Sequence, residues 1–296
     1  MKTIQSAFAS RSAQWVLIAA AILGLIIGLD TLVLHLQLDP LADVRAYYDA
    51  GARLNAGKPL YEQPATTDDA GFYRYPPLLA IAFRPLALLP FETAALIWEA
   101  LLIAMFMATL VRMGLRDHRT WIITGLLAAP IGWGLAVGQA QVAVTFLVAV
   151  GAPWAIALAG HLKILPILVA VYWLGRRDLG AVVKVAAWTG GLAALSFVLE
   201  PNGTIAFLTF SDLGQVAQLE NRSLFAVSPV LWVASILTLV FLSLRFANTR
   251  AGWPLAVVLS IFATPRVFLY QTSTLQAAVR RPGASDSSQT GQIEPS

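Results

Sequence analysis

The sequence predicts an all-α polytopic membrane protein, and three observations support this fold class. Of the 296 residues, 58% are hydrophobic and only 12% are charged. A soluble domain carries about 25% charged residues, so half that share cannot cover a water-soluble globule of this size. The mean hydropathy is +0.70, and several apolar stretches approach the roughly 20 residues that a spanning helix needs.

Five apolar stretches have about the length of a spanning helix. The first begins after Lys2 and Arg11 and shows no small-residue cleavage pattern, so we expect an uncleaved membrane helix rather than a signal peptide. The five stretches are residues 15–34, 94–111, 121–137, 182–199 and 229–246.

Three further apolar segments are interrupted, and we expect broken, re-entrant or interfacial helices there. Residues 142–174 contain two glycines and two prolines, and they are too long for one straight span and too short for three. Residues 253–270 are broken by Pro265 and Arg266. Residues 78–89 are too short to span and contain Arg84 and Pro85.

The positive-inside rule orients the bundle. Arginines cluster at residues 112–119, 176–177 and 245–250, and with Lys2 and Arg11 these positions are expected on the cytoplasmic side. The segments expected on the opposite side are residues 35–90, the turn at 138–139, and residues 200–228. The chain divides into a transmembrane domain over residues 1–275 and a polar tail over 276–296, which we expect to be disordered.

Carboxylates, aromatic residues and arginines alternate in the first outer segment. This mixture suits an amphiphilic ligand, because aromatic rings stack on sugars, arginines hold phosphate and a carboxylate can accept a proton. Aromatic and arginine side chains also gather at any membrane interface as anchors, and that alternative stays open for each residue singly. The candidates are Asp43, Arg45, Tyr47, Tyr48, Arg74 and Tyr75.

Two polar islands lie among the apolar segments. Gln139 and Gln141 separate two apolar stretches, where an amide is costly unless it is hydrogen-bonded. His161 and Lys163 precede Pro166, and a lysine at membrane depth is a functional candidate. The alternatives are snorkelling of Lys163 to the headgroups and a packing role for His161.

Composition also excludes several kinds of chemistry. The chain has no cysteine, so thiolate metal sites and cysteine nucleophiles are excluded. Its three histidines lack metal-ligand spacing, and we expect neither a metal nor a cofactor. The net charge is only +4, and the basic residues cluster where they indicate the orientation of the membrane segments. We therefore expect no nucleic-acid partner.

A series of short motifs follows in a fixed order over roughly residues 39–275. They are Asp43-x-x-x-Tyr47-Tyr48-x-Ala50-Gly51, Gly57-x-x-x-Tyr61, Tyr75-Pro76-Pro77, Gly138-Gln139-Ala140-Gln141-Val142, Lys163-x-x-Pro166, Arg176-Arg177, Asn221-x-Ser223-Leu224 and Thr264-Pro265-Arg266 with Tyr270. In order and in membrane side, this set resembles glycosyltransferase family 87, membrane mannosyltransferases of the GT-C class.

The resemblance implies a GT-C-like bundle of about 7–9 transmembrane helices in a bacterial plasma (inner) membrane, with its active site on the extracytoplasmic side. A polyprenyl-phosphate sugar would be the donor, a lipid or glycan the acceptor, and membrane lipids the surroundings. By position, Asp43 would be the general base of an inverting transfer, with Asp30, Asp39 and Asp49 as alternatives. The substrate-binding candidates are Arg45, Tyr47, Tyr48, Arg74, Tyr75, Gln139, Gln141, His161, Lys163, Asn221 and Arg266.

Lys163 and Arg74, and then Arg266, are the expected cationic partners of the leaving phosphate. The segment between Gln141 and Lys163 is shorter than is usual in the family, and Gln271 follows Tyr270, so a truncated or divergent member is expected. Two other functions stay open: a small-solute transporter, and a catalytically inactive relative that acts as an assembly or lipid-binding partner.

Overall fold

The computed structural model of the protein describes residues 11–61, 73–209 and 221–279, which form helices without a strand in those ranges. Short 3₁₀-helices lie at Leu86–Leu88, Leu165–Ala170 and Leu269–Ala278. The α-helices are α1 (Arg11–Leu38), α2 (Ala42–Asn55), α3 (Pro77–Phe83), α4 (Phe91–Met113), α5 (His118–Leu126), α6 (Ala128–Ala136), α7 (Gln141–Val150), α8 (Pro153–Leu162), α9 (Val171–Gly175), α10 (Leu179–Leu199), α11 (Pro201–Thr209), α12 (Leu224–Val227), α13 (Pro229–Phe246) and α14 (Gly252–Phe262).

Four helices in the described part of the chain are long and apolar enough to cross a membrane, namely α1, α4, α10 and α13. Protein covers little of α1 and α13, since only 6% of the most apolar window of each is buried. An apolar surface this large is unfavourable in water and indicates contact with lipid. Helices suit that environment because all their backbone hydrogen bonds form within the helix. The predicted class, an all-α polytopic membrane protein, is confirmed.

The first spanning helix packs closely on α5 and α6 through small residues. A Cβ added at Gly132 of α6 would lie 2.6 Å from the carbonyl oxygen of Gly28 in α1. Small residues let two helix backbones approach closely. In a bilayer the hydrophobic effect does not drive helices together, so this close van der Waals packing stabilises their association. The expected single span at 121–137 is divided at Leu127, because Pro130 has no N–H for the carbonyl of Leu126.

The interrupted segments are broken as predicted. Helix α7 ends at Gly151, whose φ of +61° is left-handed, and α8 begins at Pro153. The backbone is extended at Lys163, where α8 ends and the next 3₁₀-helix follows. Within residues 253–270, α14 ends at Phe262 and the 3₁₀-helix begins only at Leu269. Residues 78–89 hold α3 and a 3₁₀ turn in place of a span.

The loops predicted on one side of the membrane come together at one end of the bundle. The N–H groups of Leu41 and Asp43 donate hydrogen bonds to the carbonyls of Ala136 (3.1 Å) and Val137 (3.0 Å). At the other end, Gly175 packs on Leu244 and Ala247, which brings the arginines at 176–177 close to the end of α13. This separation of polar loops from basic clusters positions the candidate site.

The packed domain continues past residue 275, where the sequence places its end. Gln276 and Ala277 are buried, and the indole N–H of Trp253 donates a 2.7 Å hydrogen bond to the carbonyl of Ala277. The 3₁₀-helix ends at Ala278, and its last turn packs on α14. The rest of the predicted tail, from residue 280, lies outside the described residues, as does Lys2.

Candidate active site

Asp43 lies in the first turn of α2, at the end of the bundle where the polar loops meet. This helix is amphipathic and buries Val44, Tyr47 and Leu54. Its start is held by the two backbone hydrogen bonds to residues 136 and 137. The half-buried Asp43 carboxylate is therefore fixed next to the turn that contains Gly138 and Gln139.

The turn after α6 requires glycine at position 138. Gly138 has a φ of +68°, and a Cβ there would collide with the side chain of Val44. Its carbonyl accepts a 2.9 Å hydrogen bond from the indole N–H of Trp98, and the N–H of Gln139 donates to the carbonyl of Gly134 at 2.8 Å. These contacts fix the backbone of Gln139 beside α2.

Two tyrosines connect Asp43 to Gln139. The Tyr75 hydroxyl lies 3.1 Å from Oδ1 of Asp43 and 3.1 Å from Oε1 of Gln139. The Tyr47 hydroxyl donates a 2.9 Å hydrogen bond to the same amide oxygen and accepts one of 3.2 Å from the N–H of Ala140. The tyrosine rings meet edge to face with their centroids 5.1 Å apart. The network holds the carboxylate in one orientation.

One donor in this network is not used. Gln139 is fully buried, and its Nε2 atom has no hydrogen-bond partner among the described residues. A buried amide donor without a partner costs about 1–3 kcal/mol, so native proteins rarely leave one unless another molecule supplies the acceptor. Gln139 Nε2 is thus suited to a ligand oxygen near Asp43.

Lys163 brings a cation to the same cluster. Its Nζ lies 5.5 Å from the ring centroid of Tyr75 and 4.8 Å from that of Tyr270, both within the range of a cation–π contact. The residue is half-buried between α8 and the following 3₁₀-helix, outside the four spanning helices. Burial lowers the pKa of Lys163 to about 7, against the opposing effect of Asp43.

Asp43 has the electrostatics of a general base. Burial raises its pKa from 3.8 to about 6, while the charge of Lys163 and the hydroxyls of Tyr75 and Tyr47 act in the opposite direction. A carboxyl group with a pKa near 6 is ionised at neutral pH and is a stronger base than an exposed carboxylate. The cluster therefore combines a desolvated carboxylate, a cation and an unused amide donor.

An aromatic row borders the cluster on the side of α6. Trp133 stacks on His35 with centroids 4.6 Å apart and meets Tyr270 edge to face at 5.4 Å. Tyr270 in turn stacks on Phe268 at 5.4 Å. The row therefore extends from the end of α1 to the ring that Lys163 contacts.

Comparison with protein families decides the assignment: the model of glycosyltransferase family 87 matches residues 72–279, more than half of the chain. The chain belongs to glycosyltransferase family 87. The matched range begins after Asp43, so the role of that carboxylate rests on the geometry at the site.

Curated relatives of this family-87 chain come from mycobacteria. One relative is a polyprenol-phosphate-mannose-dependent alpha-(1-2)-phosphatidylinositol pentamannoside mannosyltransferase of Mycolicibacterium smegmatis. The two sequences are 31% identical over 165 residues, and the alignment covers 49% of this chain and 40% of that protein. Over 201 residues this chain is 27% identical to a polyprenol-phosphate-mannose-dependent alpha-(1-2)-phosphatidylinositol mannoside mannosyltransferase of the same organism, covering 56% and 46%. A pentamannoside mannosyltransferase of Mycobacterium tuberculosis is 27% identical over 188 residues, covering 55% and 43%.

In each of these comparisons the aligned part spans less than half the length of the relative. No solved structure matches the chain.

Several residues expected at the site of a family-87 enzyme lie elsewhere. The guanidinium of Arg45 lies 3.3 Å from the ring centroid of Phe91, and the Tyr48 hydroxyl donates to the carbonyl of Leu89 at 2.7 Å. Both contacts are typical of interfacial anchors. Gln141 donates a 2.6 Å hydrogen bond to Thr274, and His161 Nδ1 lies 2.9 Å from a carbonyl of its own helix.

The other candidates occupy the surroundings of the cluster. Arg74 is half-buried and adjacent to Tyr75 in the chain. Asn221 donates to the carbonyl of Pro265 at 3.0 Å and accepts from the N–H of Val267 at 3.0 Å, so it fixes the broken segment. The guanidinium of Arg266 lies 4.6 Å from the ring centroid of Phe268, at the end of the aromatic row. Asp30 and Asp49, two alternative bases, are exposed.

The candidates chosen from the sequence omit Trp133, Tyr270 and His35, which border the site. Tyr270 follows the break at Pro265 and forms part of a family-like motif, so the sequence carried a signal for it. Trp133 lies inside an apolar stretch and His35 is isolated in the sequence. Their proximity depends on the packing of α1 on α6.

Proposed function

We propose that this chain is a membrane glycosyltransferase that moves a hexose, mannose, from a polyprenyl-phosphate donor to a lipid or glycan acceptor on the extracytoplasmic face. One observation carries the proposal: the half-buried Asp43 carboxylate lies in one hydrogen-bonded and electrostatic cluster with Tyr75, Gln139 and Lys163. A transfer of this kind needs a base for the acceptor and a cation for the leaving phosphate.

In the proposed step, Asp43 takes the proton of the acceptor hydroxyl as its oxygen attacks the anomeric carbon. The new glycosidic bond forms on the face opposite the departing phosphate, so the configuration inverts. The bond from the anomeric carbon to the phosphate oxygen breaks, and its electron pair leaves with the polyprenyl phosphate. Tyr75 and Tyr47 keep Asp43 and Gln139 oriented through this step.

Lys163 is the proposed partner of the leaving phosphate. Negative charge grows on the phosphate oxygens in the transition state, and a preoriented ammonium stabilises it most where water is excluded. The rings of Tyr75 and Tyr270 hold the Lys163 ammonium in place without neutralising it. The unused Nε2 of Gln139 is suited to a sugar hydroxyl or a phosphate oxygen.

The donor and acceptor classes are supported by the family and by the names of the relatives. Those proteins are named for a polyprenol-phosphate-mannose donor and for phosphatidylinositol mannoside acceptors. The site lies at the rim of apolar helices, where a lipid-linked donor can keep its chain in the bilayer. The extracytoplasmic side is supported by the arginine clusters at the opposite end of the bundle.

The test is transfer by the purified protein in lipid nanodiscs, supplied with polyprenyl-phosphate mannose and a mannoside acceptor. Release of polyprenyl phosphate and the glycosylated product are measured together by mass spectrometry. Replacing the general base (Asp43→Asn) is expected to lower kcat by about 10²–10⁴-fold, the usual contribution of such a base. The matched control is Asp49→Asn, an exposed carboxylate on the same helix, which is expected to keep full activity.

The result separates this function from the two alternatives. An inactive relative or a transporter shows no donor-dependent product with the wild type. Product formation that survives Asp43→Asn unchanged would reject Asp43 as the base. Thermal unfolding of both variants checks that the loss is chemical, because Asp43 lies beside a buried network.

A further inference from the structure

A second carboxylate lies beside the site, in the turn between α1 and α2. The N–H of Asp39 donates to the carbonyl of His35 at 3.1 Å, and the carbonyl of Asp39 accepts from the N–H of Ala42 at 3.3 Å. Asp39 therefore closes α1 and precedes the first turn of α2, which carries Asp43. Leu41, with a φ of +58°, makes the sharp change of direction between the two helices.

The Asp39 side chain is held in place yet open to solvent. His35 Nδ1 lies 2.8 Å from Oδ1 of Asp39, and the His35 ring stacks on Trp133 with an angle of 9° between the planes. The side chain of His35 is 17% exposed and that of Asp39 is 42% exposed. A fixed imidazole that orients an accessible carboxylate is arranged for binding, since little side-chain entropy remains to be lost.

The surroundings of Asp39 suit a sugar. From His35 the aromatic row continues through Trp133 to Tyr270, and Lys163 lies at its far end. Sugars present hydroxyl groups to carboxylates and C–H faces to aromatic rings, so a wall of both kinds matches them. The apolar chain of a polyprenyl donor gains nothing from a carboxylate, and its phosphate is repelled by one.

We propose that Asp39 binds the acceptor sugar by accepting a hydrogen bond from a hydroxyl adjacent to the attacking one, with His35 as its positioning residue. This inference rests on the proposed function, because it assumes that Asp43 receives the proton of the attacking hydroxyl. Two carboxylates on one sugar ring would fix which hydroxyl reaches the base. Asp39 therefore contributes to the choice of the linkage that is formed.

Two properties assign Asp39 to binding rather than to proton transfer. Its carboxylate is more exposed than the desolvated Asp43 and is already hydrogen-bonded to His35. Its negative charge also acts on Asp43: after the larger effect of burial, Asp39 contributes to the raised pKa of Asp43. Asp39 precedes Asp43 by four residues, and the N–H of Ala42 donates to the carbonyl of Asp39, so a single tight turn separates the two carboxylates and they can act on one ligand.

The direct test measures binding without requiring turnover. The wild type, Asp39→Ala and the control Asp49→Ala are placed in nanodiscs and titrated with methyl α-D-mannopyranoside by saturation-transfer NMR. Loss of one charge-assisted hydrogen bond predicts a Kd about tenfold higher for Asp39→Ala and an unchanged Kd for the control. Equal affinity of Asp39→Ala and the wild type overturns the inference, and so does an absence of binding by the wild type.

Monodeoxy analogues of the same mannoside identify the hydroxyl. The analogue that lacks the bonded hydroxyl is expected to bind the wild type about tenfold more weakly than the parent mannoside does. Asp39→Ala is expected to bind this analogue and the parent mannoside equally well, as in a double-mutant cycle. His35→Phe keeps the ring on Trp133 and removes the hydrogen bond, so an intermediate loss is expected. If every analogue loses the same affinity for the wild type and for the variants, a specific contact between Asp39 and one sugar hydroxyl is contradicted.

Kinetics then separate this inference from the proposed function. With an active wild type, Asp39→Ala is expected to raise the KM for the acceptor and leave the KM for the donor unchanged. It also removes a negative charge near Asp43, so the acidic limb of kcat/KM moves to lower pH. Asp39-dependent binding without any transfer rejects the glycosyltransferase proposal alone, whereas transfer with an unaltered acceptor KM rejects this inference alone.

Discussion

The pH dependence of transfer tests the electrostatics of the site. With the pKa of Asp43 raised to about 6 by burial, kcat/KM is expected to rise between pH 5 and 7 as the carboxyl group loses its proton. At pH 5, one unit below that pKa, about one-tenth of Asp43 is ionised, so activity is about tenfold below its plateau. Activity is expected to fall again above about pH 7, where Lys163 becomes neutral.

The perturbation that isolates these effects is Lys163→Met, which keeps the apolar stem and removes the charge. The positive charge of Lys163 lowers the pKa of Asp43, so its removal is expected to move the acidic limb upward. Lys163 is the largest of the influences that lower the pKa of Asp43, so a clear displacement of the limb is expected. The basic limb should disappear with the ammonium that produces it.

The assay is product formation by mass spectrometry between pH 4.5 and about 9, at donor and acceptor concentrations below KM. Lys58→Met is the matched control, because Lys58 is an exposed lysine in the turn after α2. The position of the limb, rather than the absolute rate, is decisive, since Lys163→Met also weakens phosphate binding. A wild-type limb near pH 4, or an acidic limb that Lys163→Met leaves in place, would refute the reasoning.

Two further predictions concern the packing that supports the site. Gly138→Ala should lower the unfolding temperature and the activity more than Gly57→Ala does. Both glycines have a positive φ, which costs any other residue about 1–2 kcal/mol, but only a Cβ at position 138 would also collide with Val44. Gly28→Leu should separate α1 from α6 and lower the unfolding temperature in nanodiscs, whereas Gly190→Leu, with nothing within 4 Å, should not.

The sequence predicts the breaks in the helices well because their causes are local. Gly151, Pro153 and Pro265 each remove or redirect backbone hydrogen bonds, and the structure breaks at or near each of them. The shared side of the polar loops follows from the arginine clusters. It places Asp43, Tyr75 and Gln139 in one region, which is how the structure has them, whereas it assigns Lys163 only to membrane depth.

The sequence prediction does not distinguish between the residues of α2, because it assigns all of them to an outer loop. In a helix, Asp43 and Tyr47 are four residues apart and lie on one face, while Arg45 and Tyr48 point elsewhere. The burial of Val44, Ala46 and Tyr47 against an exposed Arg45 follows the same period. Helical periodicity in this segment therefore distinguishes the residues that face the site from those that do not.

Other parts of the site depend on contacts that no local pattern contains. Gln139 and Gln141 differ by two residues, but one precedes α7 and meets the tyrosines, while the other lies in α7 and bonds Thr274. The pairing of His35 with Trp133 requires α1 to lie against α6. Such contacts join residues nearly a hundred positions apart or more, and only tertiary packing determines them.

The arrangement of Asp43 and Lys163 reconciles two demands that oppose each other. A direct ion pair would lower the pKa of the carboxyl group by about one to three units and make it a weak base, and it would occupy the ammonium needed by the phosphate. Among the described residues no ion pair within 4 Å joins them, and Lys163 lies instead against the faces of Tyr75 and Tyr270. Because Tyr75 also bonds Asp43, one residue both orients the proposed base and contacts the cation, and in the proposed mechanism each charge stays available for its own substrate group.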